Sequence, residues 1–289
     1  DYHGGPAFKV TPKMHGIGWG ADLAVKEHAA EVTVEAWVSG AADAVVFTIL
    51  DAEGNVCLTQ KADVNDAAAR AVFTLENPHL WDGVNDPYLY TAKAEIVTAK
   101  EAANGDAVEA AFGCRFLGFD AEQGFYLNGR PYRLCGAARH QDRQGVGYAI
   151  TKEMHEEDLA IMREMGANTI RLAHYQHAQY FYDLCDKAGM IVWAEIPYIT
   201  AHMEGGRENT VSQMTELVIQ NYNHPSIICW GLSNEITAGS GVTDEIIENH
   251  KILNDLCHKL DETRPTTMAH AFMLDANNPF VMASDIRSY

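Results

Sequence analysis

Basic residues are scarce in this 289-residue chain: 21 Lys and Arg stand against 40 Asp and Glu, for a formal net charge of −19. A phosphate backbone or an anionic membrane surface repels such a chain, so no nucleic-acid partner and no membrane partner are expected. No apolar run approaches the ~18–20 residues that a membrane span requires. The six cysteines, at 57, 114, 135, 185, 229 and 257, form no Cys-x-x-Cys pair, and none stands at zinc-like spacing to histidine. Several lie inside apolar runs, where cysteine packs as a small hydrophobe, which reads as free thiols in a reducing, cytoplasmic setting. No secretion signal opens the chain. It starts on Asp1, as an excised piece would, so that lack says little about a parent protein.

What is present supports a packed core: 47% of residues are hydrophobic and 21% charged. The first ~115 residues alternate apolar and polar side chains with a period of two. "EVTVEAWV" (31–38), "AVVFTILDAEGNV" (44–56), "AARAVFTLENP" (68–78) and "PYLYTAKAEIV" (87–97) read as short strands separated by turn residues. That spacing predicts an immunoglobulin-like β-sandwich over 16–118, without the Cys–Trp–Cys pattern of antibody domains. "DYHGGPAFKVTP" (1–12) reads as the tail of a preceding domain ending near residue 15.

After Phe119 the grammar changes. "GFYLNGRPYRLCGAARH" (124–140) holds an Asn128-Gly129 hairpin turn and then a short strand ending at Arg139-His140. Amphipathic helices and apolar strands alternate from there to "SDIRSY" (284–289). Thr151 is placed to cap the first helix and Gly166 to stop it. This alternation predicts a parallel sheet covered by helices. No glycine-rich phosphate loop follows its first strand, which disfavours a nucleotide-binding sheet. Over 119–289 the fold class is therefore an incomplete (β/α)8 barrel of about six strands, in a multidomain chain that joins β to α/β architecture. Barrel enzymes carry their chemistry at the C-terminal ends of the strands, and those ends hold His140, His174, Glu195 and Asn234-Glu235. A carboxyl beside an apolar strand is partly shielded from water, which raises its pKa and suits it to general-acid work. The bland alternative is that Glu235 caps the next helix. Trp193 and Trp230 read as core, and so does Trp81 in the sandwich.

"NYNHPSIICWGLSNE" (221–235) resembles the acid/base signature of family 2 glycoside hydrolases, with Cys229 at a position that is usually aliphatic. "NTIRLAHYQHAQYFYDLCDKAGMIVW" (168–193) resembles a second signature of the same family, with Ala173 and Gln176 as departures. "FYLNGRPYRLCGAARHQD" (125–142) and "LWDGVNDPYLYTAKAEI" (80–96) are similar to its entry into the barrel and to the end of its sandwich domain. The resemblance implies a retaining exo-β-glycosidase with Glu235 as acid/base. It also implies Asn234, His140 and His174 as sugar-binding residues, and Arg139 and Arg171 as supports paired with rim carboxylates. Glu195 stands between substrate contact and structural pairing. "AARHQD" with "RLAHYQ" is closer to bacterial β-galactosidases, with β-glucuronidase and β-mannosidase as alternatives. The preceding domain would then be a sugar-binding jelly roll.

Glycoside hydrolysis generally needs two carboxylates, about 5–5.5 Å apart when configuration is retained. The resemblance puts the nucleophile on the seventh strand. Residues 132–289 fall short of the roughly 250 residues of a whole barrel, so that glutamate is expected beyond the chain. Asp285, placed on the sixth strand, does not substitute for it. The chain alone is expected to be inactive, its partner being a β-linked oligosaccharide or glycoside. Unpaired edges of an open barrel also favour self-association, so a homo-oligomer is expected. No cofactor and no metal site is expected: His202 is present, but Thr200 stands where a magnesium motif of the family has an acid. A carbohydrate-binding or structural module is the non-enzymatic alternative. A doubly wound hydrolase lacks its Gly-x-Ser-x-Gly elbow.

Overall fold

The computed structural model describes residues 7–20, 27–98, 106–272 and 274–288. The chain packs as two units. One comprises residues 1–134 with 186–189 and 222–225, and the other residues 135–185, 190–221 and 226–289.

In the first unit β1 (Phe8–His15), β2 (Ala29–Trp37), β3 (Ala44–Leu50), β4 (Val56–Asp63), β5 (Ala68–Glu76), β6 (Tyr90–Val97) and β7 (Ala107–Phe112) form two antiparallel sheets. Their orders are β1-β2-β5 and β4-β3-β6-β7. Alternation drives the packing: Ala30, Val32, Val34 and Ala36 of β2 are buried and meet Phe47, Ile49 and Ala92 of the facing sheet. Trp81 is fully buried, and its Nε1 donates to Asp186 O at 2.9 Å.

The first unit extends on both sides of the expected sandwich. β1 pairs with β2 along its whole length, from Phe8↔Ala36 to His15↔Ala29. Residues 8–15 thus add a strand to the sandwich sheet. Its partner was not legible because an isolated strand does not reveal which edge it joins. Residues 1–6 of that expected tail lie outside the described residues. By packing, residues 119–134 group with the first unit. β8 (Leu117–Asp120), β9 (Gly124–Leu127) and β10 (Arg130–Pro131) form a small sheet that packs with the first unit. Its Asn128-Gly129 turn has φ of 52° and 81°, the left-handed pair that a type I′ hairpin demands. β7 was not anticipated: "AVEAAF" is rich in Ala and Glu, weak strand formers.

The second unit alternates β11 (Gly136–Arg139), α1 (Lys152–Glu164), β12 (Thr169–Leu172), α2 (Gln179–Ala188), β13 (Ile191–Glu195), α3 (Gly206–Asn221), β14 (Ile227–Asn234), α4 (Thr237–Ser240), α5 (Asp244–Leu260), β15 (Thr266–Ala269) and β16 (Ile286–Ser288). All six strands are parallel, and their order in the sheet is their order in the chain. A doubly wound sheet reverses its strand order at a switch point; this one does not, so it is an incomplete (β/α)8 barrel. Thr151 Oγ1 accepts from Met154 N, capping α1, and Gly166 takes φ of 83° beyond the helix end.

Register divides the sheet's two faces. The row Leu172, Ala194, Trp230 and Thr266 faces the helices: Trp230 is fully buried and its Nε1 donates to Asp261 Oδ2 at 2.9 Å, just past α5. The row Arg171, Trp193 and Cys229 lies on the opposite, barrel-interior face. None of the six cysteines, all among the described residues, is in a disulfide. Among the described residues, no helix is long and apolar enough to cross a membrane.

Candidate active site

The C-terminal strand ends supply the candidate residues. His140 follows β11, His174 lies just past β12, Glu195 ends β13, Asn234 ends β14, and Glu235 comes next. Arg171 joins three of these positions. Its Nε donates to Glu195 Oε1 at 2.5 Å, and its Nη2 to Glu195 Oε2 at 3.0 Å and Asn234 Oδ1 at 2.7 Å. His174 Nδ1 lies 3.2 Å from Glu195 Oε2 and 3.3 Å from Arg171 Nη2. Counting protons orients the cluster: Nη2 has two, which serve Glu195 and Asn234, so His174 Nδ1–H donates to Glu195. In the neutral ring His174 Nε2 is then an acceptor on the ring's other side. Asn234, its oxygen taken by Arg171, keeps its amide NH2 as donor. The Arg171 guanidinium also stacks on Trp193, 4.6 Å from the ring centroid.

These contacts pair both oxygens of Glu195 inside the protein. It is fully buried, and a buried carboxylate persists only with such a partner. His140 is exposed and meets the His174 ring edge-on, with centroids 5.1 Å apart.

Glu235 is held by its backbone. Its N donates to Ala269 O at 2.9 Å, and its φ is 50°, a left-handed value uncommon for glutamate. Asn234 N donates to Tyr198 O at 2.9 Å, and Asn234 O accepts from Thr200 N at 3.1 Å. The position is fixed from both neighbouring strand ends, yet the Glu235 side chain is exposed. The shielding expected from the apolar strand is therefore absent among the described residues. The strand buries residues up to Asn234, and the left-handed turn carries Glu235 out of it.

Arg139 requires a second correction. It was expected to pair with a rim carboxylate, but it shares the register row of Leu172 and faces the helices. Its Nε donates to Asp158 Oδ2 of α1 at 3.0 Å, its Nη1 to His177 Nδ1 at 3.0 Å and its Nη2 to His155 Nδ1 at 2.8 Å. Its Cζ sits 3.9 Å from the Phe181 ring centroid. Both histidines therefore carry their proton on Nε2, and His177 Nε2–H donates to Ala173 O at 3.1 Å, beside His174. Burial lowers the pKa of His155 and pushes that of His177 down to about 3. Sequence reasoning missed His155 and His177. The spacing of His174 and His177 was visible, but nothing in it said which ring faces the rim.

Asp285 also moves. It precedes β16 instead of lying on it, and accepts from Thr266 N at 2.9 Å, with His258 Nε2 2.9 Å away. Thr266 opens β15, so Asp285 sits at the opposite end of the strands from Glu235. His202 Nδ1 meets Tyr198 Oη at 2.5 Å and its Nε2 meets Glu245 Oε1 at 3.2 Å, so both ring nitrogens are engaged within the protein.

Residues 121–287 match the family model described as the TIM barrel domain of glycosyl hydrolases family 2, and residues 17–115 a model described as glycosyl hydrolases family 2. A β-glucuronidase of Bacteroides fragilis is 44% identical over 224 residues, 74% of this chain and 31% of that protein. Among solved structures, an FMN-binding β-glucuronidase from Facaelibacterium prausnitzii L2-6 superposes with a TM-score of 0.87 and 38% identity, over 99% of this chain and 43% of that one. A putative β-galactosidase from Bacteroides fragilis superposes with a TM-score of 0.85 and 33% identity, over 98% and 41%. The chain spans less than half the length of each of these proteins. Matched over both its sandwich and its barrel strands, the chain belongs to family 2 of the glycosyl hydrolases.

Proposed function

We propose that the strand ends around Arg171 are the acid/base side of a retaining exo-β-glycosidase site. The observation that carries this reading is the Arg171 cluster: one guanidinium orients Asn234 and braces His174 through Glu195. Asn234 is the residue next to Glu235. A sugar ring bound there receives a hydrogen bond from the Asn234 amide and gives a hydroxyl proton to His174 Nε2, with His140 alongside. Glu235 protonates the oxygen of the departing group and then takes a proton from the attacking water.

The second carboxylate is not found beside it among the described residues. Glu195 is occupied by Arg171 and His174, and Asp285 is at the other end of the sheet. The reading takes the nucleophile from sequence that completes the barrel, and residues 1–289 by themselves are inactive. The substrate is a terminal β-linked hexoside. A β-glucuronide is favoured by the 44% and 38% identities to proteins named β-glucuronidases. A β-galactoside, the preference drawn from the sequence, is supported by the 33% identity to a putative β-galactosidase. The test is hydrolysis of nitrophenyl β-glucuronide, β-galactoside and β-mannoside by this chain and by a longer polypeptide that completes the barrel. Cleavage by the longer form alone supports the reading; undiminished cleavage by the chain with Glu235→Gln overturns it.

A further inference from the structure

His140 lies between two residues that both reach across to the loop carrying His174. That loop, residues 173–178, follows β12. On one side, Arg139 O accepts from Ala173 N at 3.0 Å, and Arg139 Nη1 donates to His177 Nδ1 at 3.0 Å. On the other, Gln141 N donates to Tyr175 Oη at 2.9 Å, and Gln141 Oε1 accepts from Ala178 N at 2.7 Å. The loop is also closed on itself. His177 Nε2–H donates to Ala173 O at 3.1 Å, and the Tyr175 and His177 rings stack with centroids 5.1 Å apart.

The two fastenings differ in depth. Arg139, Ala173 and His177 are buried, so their bonds also hold the fold together. Gln141 is only half-buried, and its side-chain bond to Ala178 can be removed without opening the core. A connecting loop is ordinarily the mobile part of such a unit, and groups that read hydroxyls must be held to within about 0.5 Å. Fastened to both neighbours of His140, this loop keeps His174 Nδ1 3.2 Å from Glu195 Oε2 and its ring centroid 5.1 Å from that of His140.

Resting on the reading that His140 and His174 bind a β-glycoside, we infer that Gln141 and His177 are positioning residues of that site. They set the relation of the two histidines by fastening one strand-end loop to the other. The test takes 15N spectra of the histidine rings of the chain and titrates it by NMR with methyl β-D-glucuronide and methyl β-D-galactoside. In the wild-type chain His174 carries its proton on Nδ1, and one of the two glycosides binds. In Gln141→Ala the loop is loosened: His174 exchanges between its tautomers, and affinity falls roughly threefold to tenfold, the scale of one hydrogen bond. Gln141→Glu keeps the acceptor and restores both. His177→Phe, which fills the ring's space without its nitrogens, repeats the losses of Gln141→Ala; if it does not fold, the Gln141 pair decides. A Gln141→Ala chain whose His174 tautomer or affinity stays at wild type overturns the positioning role alone, as does a loss that Gln141→Glu fails to restore. An Asn234→Ala chain that binds as the wild type does overturns the site reading beneath it, and so does a wild-type chain that binds neither glycoside.

Discussion

Arg171 and Glu195 are joined by two parallel hydrogen bonds, Nε to Oε1 at 2.5 Å and Nη2 to Oε2 at 3.0 Å, with the carboxylate fully buried. This fork fixes the plane of the guanidinium, and with it the bond to Asn234 and the setting of His174. The candidate site is thus arranged around a buried ion pair.

Breaking that pair leaves Arg171 without its counter-charge against Trp193. Glu195→Gln is expected to destabilise the second unit by roughly 3 kcal/mol, the scale for removing one partner of a buried ion pair. Urea unfolding monitored by tryptophan fluorescence reads this as a lowered midpoint. An unchanged midpoint would mean that the pair is not maintained in solution.

Acid should weaken the fold. Burial lowers the folded pKa of His177 to about 3 and that of His250 to about 4, against 6.5 for an unperturbed histidine. The unfolded chain takes up these protons first as pH falls. The stability from each neutral histidine is full above pH 6.5 and is lost on descent toward its folded pKa. The loss is about 1.4 kcal/mol per pH unit for each. Unfolding free energies at pH 7.5, 5.5 and 4.5 should fall accordingly, and His250→Gln should flatten the slope. Equal stabilities at pH 7.5 and 4.5 would refute the assignment.

Gly231 is required by space. A Cβ there would lie 2.5 Å from Glu195 Cβ and 2.6 Å from Trp193 Nε1. Gly231→Ala should therefore cost about 1–3 kcal/mol as overpacking. The smaller ring of Trp193→Phe should recover part of that loss in the double variant, which a thermal melt of all three proteins measures.

Arg139 divides its donors among Asp158, His155 and His177. Lysine keeps the charge but not the planar fork. Arg139→Lys should release at least one histidine from its Nε2–H tautomer, visible as a changed Nδ1 shift in 15N spectra of the histidine side chains. Tautomers identical to wild type would show that Arg139 does not set them.

The two arginines mark the limit of what the sequence discloses. Each precedes a histidine near a strand end, Arg139 by one residue and Arg171 by three, and both were read as rim supports. Parallel strands buried on both faces show no alternation that would separate inward from outward. Only the register, Ala138↔Arg171 and Arg139↔Leu172, shows that they point opposite ways. β14 was legible because Ile227 to Trp230 is an unbroken apolar run closing on Asn234-Glu235. β1 was legible as a strand but not as a partner of β2, since its pairing depends on a residue 28 positions away at its first contact, Phe8↔Ala36. The exposure of Glu235 was not legible either, because it depends on a left-handed backbone turn at a residue that rarely adopts one.

The central claim is that Glu235 is the acid/base, and removing its carboxyl in a polypeptide with a completed barrel tests it most directly. Glu235→Ala should cleave nitrophenyl glycosides slowly but retain cleavage of dinitrophenyl glycosides, whose leaving group needs no proton. Azide, which attacks without base assistance, should accelerate turnover and yield a glycosyl azide of retained β configuration. A Glu235→Ala protein whose rate drops equally for both leaving groups, with no azide product, would contradict the account.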